Sequence, residues 1–298
     1  MLRNPELPHA VAVVCHDAGA CNLILPWLQQ PGLHVRALMQ GPALALWQAR
    51  FGDAPRCSSL EAALAGVQLV LTGTGWASTL EHDARALARQ RNLRSAAVID
   101  HWVNYPERFV FNGRQQWPDE FWLTDDMAVT LACQHFPPHQ LRCYANRYLQ
   151  EQAQAITPLR AGQGDVLLVM EPMRSDWGRG VAGEWQALGH FMQHRTLLGV
   201  GDQTPLRLRP HPSDPAGKYD HWLASHPGVV LDRHASLALA MNGARWVVGC
   251  ESYALVVALA AGREVWSSLP PWAPACRLPH AGVRKMAALA GAGTVLAV

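Results

Sequence analysis

Short apolar runs recur along the chain, each ending in a polar or glycine-bearing turn and followed by a segment of helical spacing. Residues 10–15 form the first run, and His16-Asp17-Ala18-Gly19 leads from it into an apolar helix through Trp27. Runs 34–39 and 67–71 predict the next two strands. Helices are expected over 42–51, over 60–64 with Ser58 as its cap, and over 78–91. A strand over 94–99 stops at Asp100, and shorter strands at 120–123 and 141–144 flank a helix near 127–135. Residues 146–164 are polar, rich in Gln and broken by Pro158, Gly162 and Gly164, the composition of a linker. Alternation then restarts. Strands are predicted at 165–170, 206–209, 229–231, 246–248 and 264–267, and helices at 183–197, 218–225, after Ser236, and at 253–261. Such alternation predicts an α/β protein with parallel sheets covered by helices on both faces. The break at the linker divides it into two Rossmann-like domains, 1–150 and 164–298, expected to face a central cleft.

Composition narrows this picture only a little. A chain of 298 residues, 49% hydrophobic, has room for two cored domains. A net charge of +2 creates no field that calls for nucleic acid. Seven cysteines, an odd number with no CxxC pair, indicate neither a disulfide framework nor a zinc site, which suits a reducing cytoplasm. No apolar run approaches the roughly 20 residues that span a bilayer. A cytoplasmic protein is expected, with peripheral contact at the inner membrane face left open. No cofactor and no metal site are expected; Asp125-Asp126 reads as a helix cap rather than a metal motif.

The candidate chemistry lies at strand ends, the edge where open parallel sheets bind ligands. His16, Asp17 and Gly19 follow the first strand, and Thr74 lies in the Thr-Gly-Thr-Gly turn after the third. These residues are assigned to an acceptor or sugar. Glu81, His82 and Asp83 in the next helix read as a solvated face. Asp100-His101-Trp102-Val103-Asn104-Tyr105 is dense in functional side chains. A carboxylate at a strand end is a natural general base for a sugar hydroxyl. Asp100 is therefore the candidate base, with His101 as its alternate, and Asn104 and Tyr105 join the acceptor set. In the second half, prolines on both sides of His211 stiffen Arg209-Pro-His-Pro. Gly249-Cys250-Glu251-Ser252 opens a helix whose amino end suits an anion. Arg209, His211, Glu251, Ser252 and Arg174 are the candidate nucleotide contacts, and Trp177 offers a stacking face.

Two Rossmann-like halves, with His211-Pro212 and a Ser-bearing helix start in the second, resemble GT-B glycosyltransferases. The resemblance is nearest to bacterial sialyltransferases, polysialyltransferases and capsule transferases for ulosonic acids. Those carry an Asp/Glu-Asp/Glu-Gly motif where this chain has Asp100-His101-Trp102, so Asp100 alone matches. The resemblance implies an inverting, metal-independent glycosyltransferase taking a nucleotide-sugar donor, CMP-linked in preference to UDP-linked, to a glycan or polysaccharide acceptor. It implies Asp100 as base and His211 as the group that binds phosphate and assists departure. UDP-N-acetylglucosamine 2-epimerases share the general fold. An epimerase or hydrolase using His16, Asp17 and Glu251, and a catalytically silent nucleotide-sugar-binding protein, are the alternatives.

Overall fold

The computed structural model describes residues 2–160, 162–173 and 175–292. The chain separates into two compact units, the first ending at Tyr148 and the second beginning at Leu149. Both are α/β and both are built on a parallel six-stranded sheet.

In unit 1 the chain runs β1 (Ala10–Cys15), α1 (Ala18–Ile24), β2 (His34–Met39), α2 (Gly41–Phe51), α3 (Leu60–Ala63), β3 (Leu69–Thr72), α4 (Leu80–Gln90) and β4 (Arg94–Val98). A two-stranded ribbon follows, β5 (Val110–Phe111) and β6 (Arg114–Gln115), then β7 (Glu120–Leu123), α5 (Asp126–Ala132) and β8 (Leu141–Cys143). The sheet order is β2-β1-β3-β4-β7-β8. Four of these strands, β1, β3, β4 and β7, lie inside the sheet, which explains why their sequences read as continuous apolar runs rather than alternating ones. One face packs Ala12, Val14, Leu38 and Val70 against Leu80, Ala84 and Ala88 of α4. Toward β7 on the same face, in the register row of Val14, Thr72 and Ala97, Phe121 stacks on Phe136 with ring centroids 3.9 Å apart, and Phe109 meets both edge-on.

The helix α6 (Arg147–Gln154) occupies the first part of the segment expected to be a linker. Its Gln and Glu residues are ordinary helix formers, so a polar composition there did not mean an absence of structure.

Unit 2 continues with β9 (Asp165–Val169), α7 (Gly183–His194), β10 (Leu206–Arg209), α8 (Asp220–Ala224), β11 (Val229–Leu231), α9 (Leu237–Met241), β12 (Ala244–Gly249), α10 (Tyr253–Ala260) and β13 (Glu264–Ser267), and closes with β14 (Val283–Lys285) and α11 (Met286–Ala292). Its order is β11-β10-β9-β12-β13-β14. Val166, Leu168, Leu206, Leu208, Val248 and Trp266 meet Leu188 and Phe191 of α7 in one core. The strand order reverses between β1 and β3 in unit 1 and between β9 and β12 in unit 2. Those two reversals mark where each sheet's carboxyl edge opens for a ligand. Among the described residues, no helix is long and apolar enough to cross a membrane.

Candidate functional site

At the carboxyl edge of unit 1, the predicted residues come together tightly. The Asp100 carboxylate accepts from Arg108 Nη1 at 2.7 Å, and the same guanidinium nitrogen donates to Thr74 Oγ1 at 2.9 Å. Arg108 Nε donates to Val103 O at 3.0 Å, so one buried arginine ties the loop after β4 to the loop after β3. Asp100 also lies directly over Gly19: a Cβ there would stand 1.7 Å from Asp100 Oδ2. This is the physical reason a glycine opens α1. Asp17 caps α1 by accepting from Ala18 N at 2.8 Å. The His16 ring packs on Gly41, where a Cβ would come within 2.6 Å of Nε2, and His16 Nδ1 is buried without a partner.

Three expectations need correcting in unit 1. Thr74 is buried, accepting from Arg108 and donating to Val98 O at 3.3 Å, so it holds the turn and offers no hydroxyl to a sugar. Tyr105 is likewise buried, and its hydroxyl donates to Ala128 O at 3.3 Å. Burial pushes that phenol well above its ordinary range, with Asp125 adding to the shift. Glu81 is not on a solvated face but 1% exposed, accepting from His16 N at 3.0 Å, and its other oxygen has no partner. Burial raises its pKa, favouring the neutral acid. Gly73 and Gly75 are the complement of that carboxyl, since a Cβ on either would come within 3.1 Å of it. Arg85, one turn on, is buried and lowered to about 10 by desolvation; it donates to Gly73 O and Thr72 Oγ1. Of the remaining predicted residues, Asn104 adopts a left-handed conformation (φ 58°) and is exposed, and His101 packs edge-on to Trp102. Trp102 is in turn anchored to the cap residue Asp125 at 3.0 Å.

Unit 2 presents a different edge. Glu171 follows β9 and Glu251 follows β12, and the two carboxyls sit side by side. Glu171 Oε2 accepts from Glu251 N at 2.9 Å, and the Ser252 amide also favours its charged form. Burial outweighs both and raises Glu171 to about 7. Glu251 is 6% exposed and clasped by Arg277, whose main-chain N donates to Oε2 at 3.0 Å while its guanidinium holds Oε1. A cavity of about 380 Å³ opens beside them, walled by Trp177, Met173, Leu269 and Pro274, with Glu171, Glu251 and Arg277 as its polar side. Ser252 Oγ is buried and has no partner. Cys250 is buried, and desolvation with the neighbouring Glu171 and Glu251 pushes its thiol far above the reactive range.

The structure thus gathers Glu251 and Ser252 of the predicted nucleotide set with Glu171 and Arg277, which the sequence reading did not single out. A charged residue directly after a buried strand was the signal available for Glu171. Arg277 lies in an irregular segment with no periodicity to expose it. Arg209 is bound to Asp232 Oδ2 and His234 O, so it braces the end of β10 rather than opening outward. Its neighbour His211 is fixed by Asp214 Oδ2 accepting its N–H at 2.8 Å, and by a contact of 2.7 Å between its Nδ1 and Ser213 Oγ. Arg174 lies outside the described residues.

No protein-family model and no curated protein matches this sequence. Solved structures do resemble it in fold. The Staphylococcus aureus MnaA–UDP structure superposes with a TM-score of 0.60 at 10% identity over 87% of this chain and 78% of that one. The UDP-GlcNAc 2-epimerase from Neisseria meningitidis, bound to UDP-GlcNAc, gives 0.57 at 11% identity over 87% and 82%. The glycotransferase of kitacinnamycin gives 0.52 at 14% identity over 93% and 86%. The chain therefore has the fold of GT-B-type nucleotide-sugar enzymes, with two Rossmann-like halves.

Proposed function

We propose that the protein is an enzyme acting on a nucleotide-activated sugar, with residues 164–298 holding the nucleotide and residues 1–150 serving the sugar or acceptor. The observation that carries this reading is the cavity beside Glu171, Glu251 and Arg277 at the point where the strand order of unit 2 reverses. Trp177 offers a stacking face for a base, Arg277 a cation for phosphate, Glu251 an acceptor for sugar hydroxyls, and Ser252 Oγ a donor in want of an acceptor. Glu171, with a pKa near 7, is matched to donate or accept a proton at neutral pH.

We favour a UDP-linked substrate and acid–base chemistry on its sugar, of the epimerase or hydrolase kind. The Neisseria structure is an epimerase, and it and the S. aureus structure hold UDP-GlcNAc and UDP, which supports UDP over the CMP-linked ulosonic acid implied by the sequence resemblance. Glycosyl transfer is the second reading, supported by the likeness to the kitacinnamycin glycotransferase. In it Asp100 takes the acceptor proton and His211 eases departure of the phosphate.

A thermal-shift series with UDP, CMP, CDP and GDP tests the nucleotide. UDP is expected to stabilise the protein and to lose that effect in Arg277→Ala. Stabilisation by CMP alone overturns the UDP assignment, and stabilisation by none of the four overturns the nucleotide site. Proton NMR of UDP-GlcNAc incubated with the enzyme and no acceptor then separates the two chemistries. Inverted or hydrolysed sugar supports the first reading, and unchanged sugar supports transfer.

A further inference from the structure

The loops after β9 and β10 carry groups assigned above to the nucleotide, and a buried chain of hydrogen bonds joins them from behind. At one end, Met173 N donates to Glu184 Oε2 at 3.1 Å. Lys218 Nζ then donates to Glu184 Oε1 at 2.8 Å and to Asp214 Oδ1 at 2.7 Å. At the other end, Asp214 Oδ2 accepts from His211 N at 2.8 Å, and also from the Tyr219 hydroxyl at 3.1 Å. Each terminus of the chain is thus a main-chain N–H of a site loop, and its centre is one of only two lysines in the protein.

The centre is shielded. The side chains of Glu184 and Asp214 are 6% and 2% exposed and that of Lys218 is 17% exposed. Burial works against the ammonium, yet the two carboxylates outweigh it and hold Lys218 above the ordinary lysine range. Asp214 moves the opposite way: burial alone would raise it, and Lys218 with the His211 N–H lowers it. The loop at the Met173 end is also seated on α7 by shape. A Cβ on Gly183 would meet Trp177 Cζ2 at 2.7 Å and Met173 Cβ at 2.9 Å, and Gly183 N donates to Ser175 O at 3.0 Å. Glu184 is the next residue. Whatever moves the Met173–Trp177 wall of the cavity therefore moves the carboxylate that Lys218 holds.

We propose that Lys218 is a positioning residue that couples the His211 loop to the Met173–Trp177 wall of the cavity, so that the two order together around a bound nucleotide. This rests on the nucleotide reading of that cavity for its purpose, but not for its test. An ammonium with three donors can serve two carboxylates at once, whereas an apolar residue would leave both buried charges facing each other unpaired. Losing an ion pair that merely stabilises unit 2 would lower global stability without making one loop sense a change at the other.

Hydrogen–deuterium exchange read by mass spectrometry on the peptides 170–178 and 209–216 separates the two cases. Glu184→Gln weakens the Met173 end and its link to Lys218 while leaving Asp214 and its bond to the His211 N–H in place, and it is expected to speed exchange about tenfold in both peptides. Asp214→Asn, at the His211 end, is expected to do the same from the other side. Lys218→Met should release both loops and Lys218→Arg should restore most of the protection. If Glu184→Gln and Asp214→Asn each loosen only their own loop, the coupling is overturned; both are near-isosteric, so they decide the matter even if Lys218→Met fails to fold. UDP added to the wild type is expected to slow both peptides together. If UDP protects neither peptide, the nucleotide reading falls, while the cross-loop effect of the two carboxylate variants still judges the coupling.

Discussion

The two sheets place polar residues along the same kind of edge and use them in opposite ways. At the edge of unit 1 the charges turn inward on their own loops: Asp100 pairs with Arg108, one oxygen of Glu81 holds the His16 N–H, and a Cβ on Gly19, Gly73 or Gly75 would run into the Asp100 or Glu81 carboxyl. At the edge of unit 2, Glu171, Glu251 and Arg277 also pair, but they do so on the wall of a cavity of about 380 Å³. Strand ends announce where a ligand can bind in a parallel sheet. Whether the side chains there are available depends on how the following loop packs. In unit 1 that loop brings Arg108 inward, whereas in unit 2 it carries Trp177 outward over Gly183 in a left-handed conformation (φ 50°).

The sharpest way to break this contrast is Asp100→Asn. Asparagine can still accept from Arg108 but no longer balances its buried charge, so the protein is expected to fold with a lowered Tm. If Asp100 is nonetheless a base for the sugar, turnover falls on the order of 10²- to 10⁴-fold while UDP still binds. Full activity in that variant would reduce the edge of unit 1 to architecture. Arg277→Ala strikes the other edge. It leaves Glu251 buried without its cation, and UDP affinity is expected to fall roughly thirtyfold by calorimetry. Because the guanidinium is half-exposed, the accompanying stability loss should be only about 1 kcal/mol in a urea titration. An unchanged affinity would remove Arg277 from the nucleotide site.

Glu171 sharpens the comparison through pH. Its carboxyl moves from about 4.3 in an unfolded chain to about 7 in the fold, because burial disfavours the charge. The folded state therefore binds this proton more tightly. Its contribution to stability is complete below about pH 4.3 and is lost as pH rises through about 7. Glu171→Gln should erase that slope. The stability of the wild type relative to the variant is expected to drop on the order of 2 kcal/mol between pH 5 and pH 8. UDP affinity in the wild type should fall over the same interval, as a carboxylate forms beside the phosphates, and should stay flat in the variant. A flat wild-type profile would mean that Glu171 is ionised throughout.

The same contrast governs how much the sequence disclosed. Strands β1, β2, β7, β10, β11 and β13 lie where the short runs predicted them; β1, inside its sheet, is apolar throughout, whereas β10 alternates buried Leu with part-buried Arg. The edge strand β14 was missed: two of its three residues are exposed charges, Arg284 and Lys285, so it carries no hydrophobic signature. The ribbon of β5 and β6 turns on Asn112-Gly113, both at positive φ, a dipeptide that signals a hairpin and was readable. The cap of α3 is Ser59 rather than Ser58, a choice that neighbouring serines leave to the geometry. Glu81 shows the harder limit. Its charged neighbours suggested a solvated face, yet Glu81, Ala84, Arg85 and Ala88 fall on one buried stripe of α4. Spacing was the better guide than charge there. Asp100 and Glu251 were legible as strand-end carboxylates, whereas the partners that restrain them, Arg108 and Arg277, come from loops whose approach only the packing determines.

The smallest expected effect divides the two edges most finely. Ser252 Oγ is buried with no partner, whereas Thr74 Oγ1 at the edge of unit 1 is fully engaged between Arg108 and Val98 O. A buried hydroxyl that bonds to nothing contributes little or costs stability, while one that completes a network is missed when it goes. Ser252→Ala is therefore expected to leave the urea midpoint unchanged or slightly raised, within about 0.5 kcal/mol. Thr74→Val should cost about 1–3 kcal/mol, because it leaves one donor of Arg108 unmet. With UDP the order reverses: Ser252→Ala loses affinity by about three- to tenfold, one ordinary hydrogen bond, and Thr74→Val loses none. If Ser252→Ala destabilises the protein and binds UDP as the wild type does, its hydroxyl belongs to the fold, and the difference between the two edges narrows to the cavity alone.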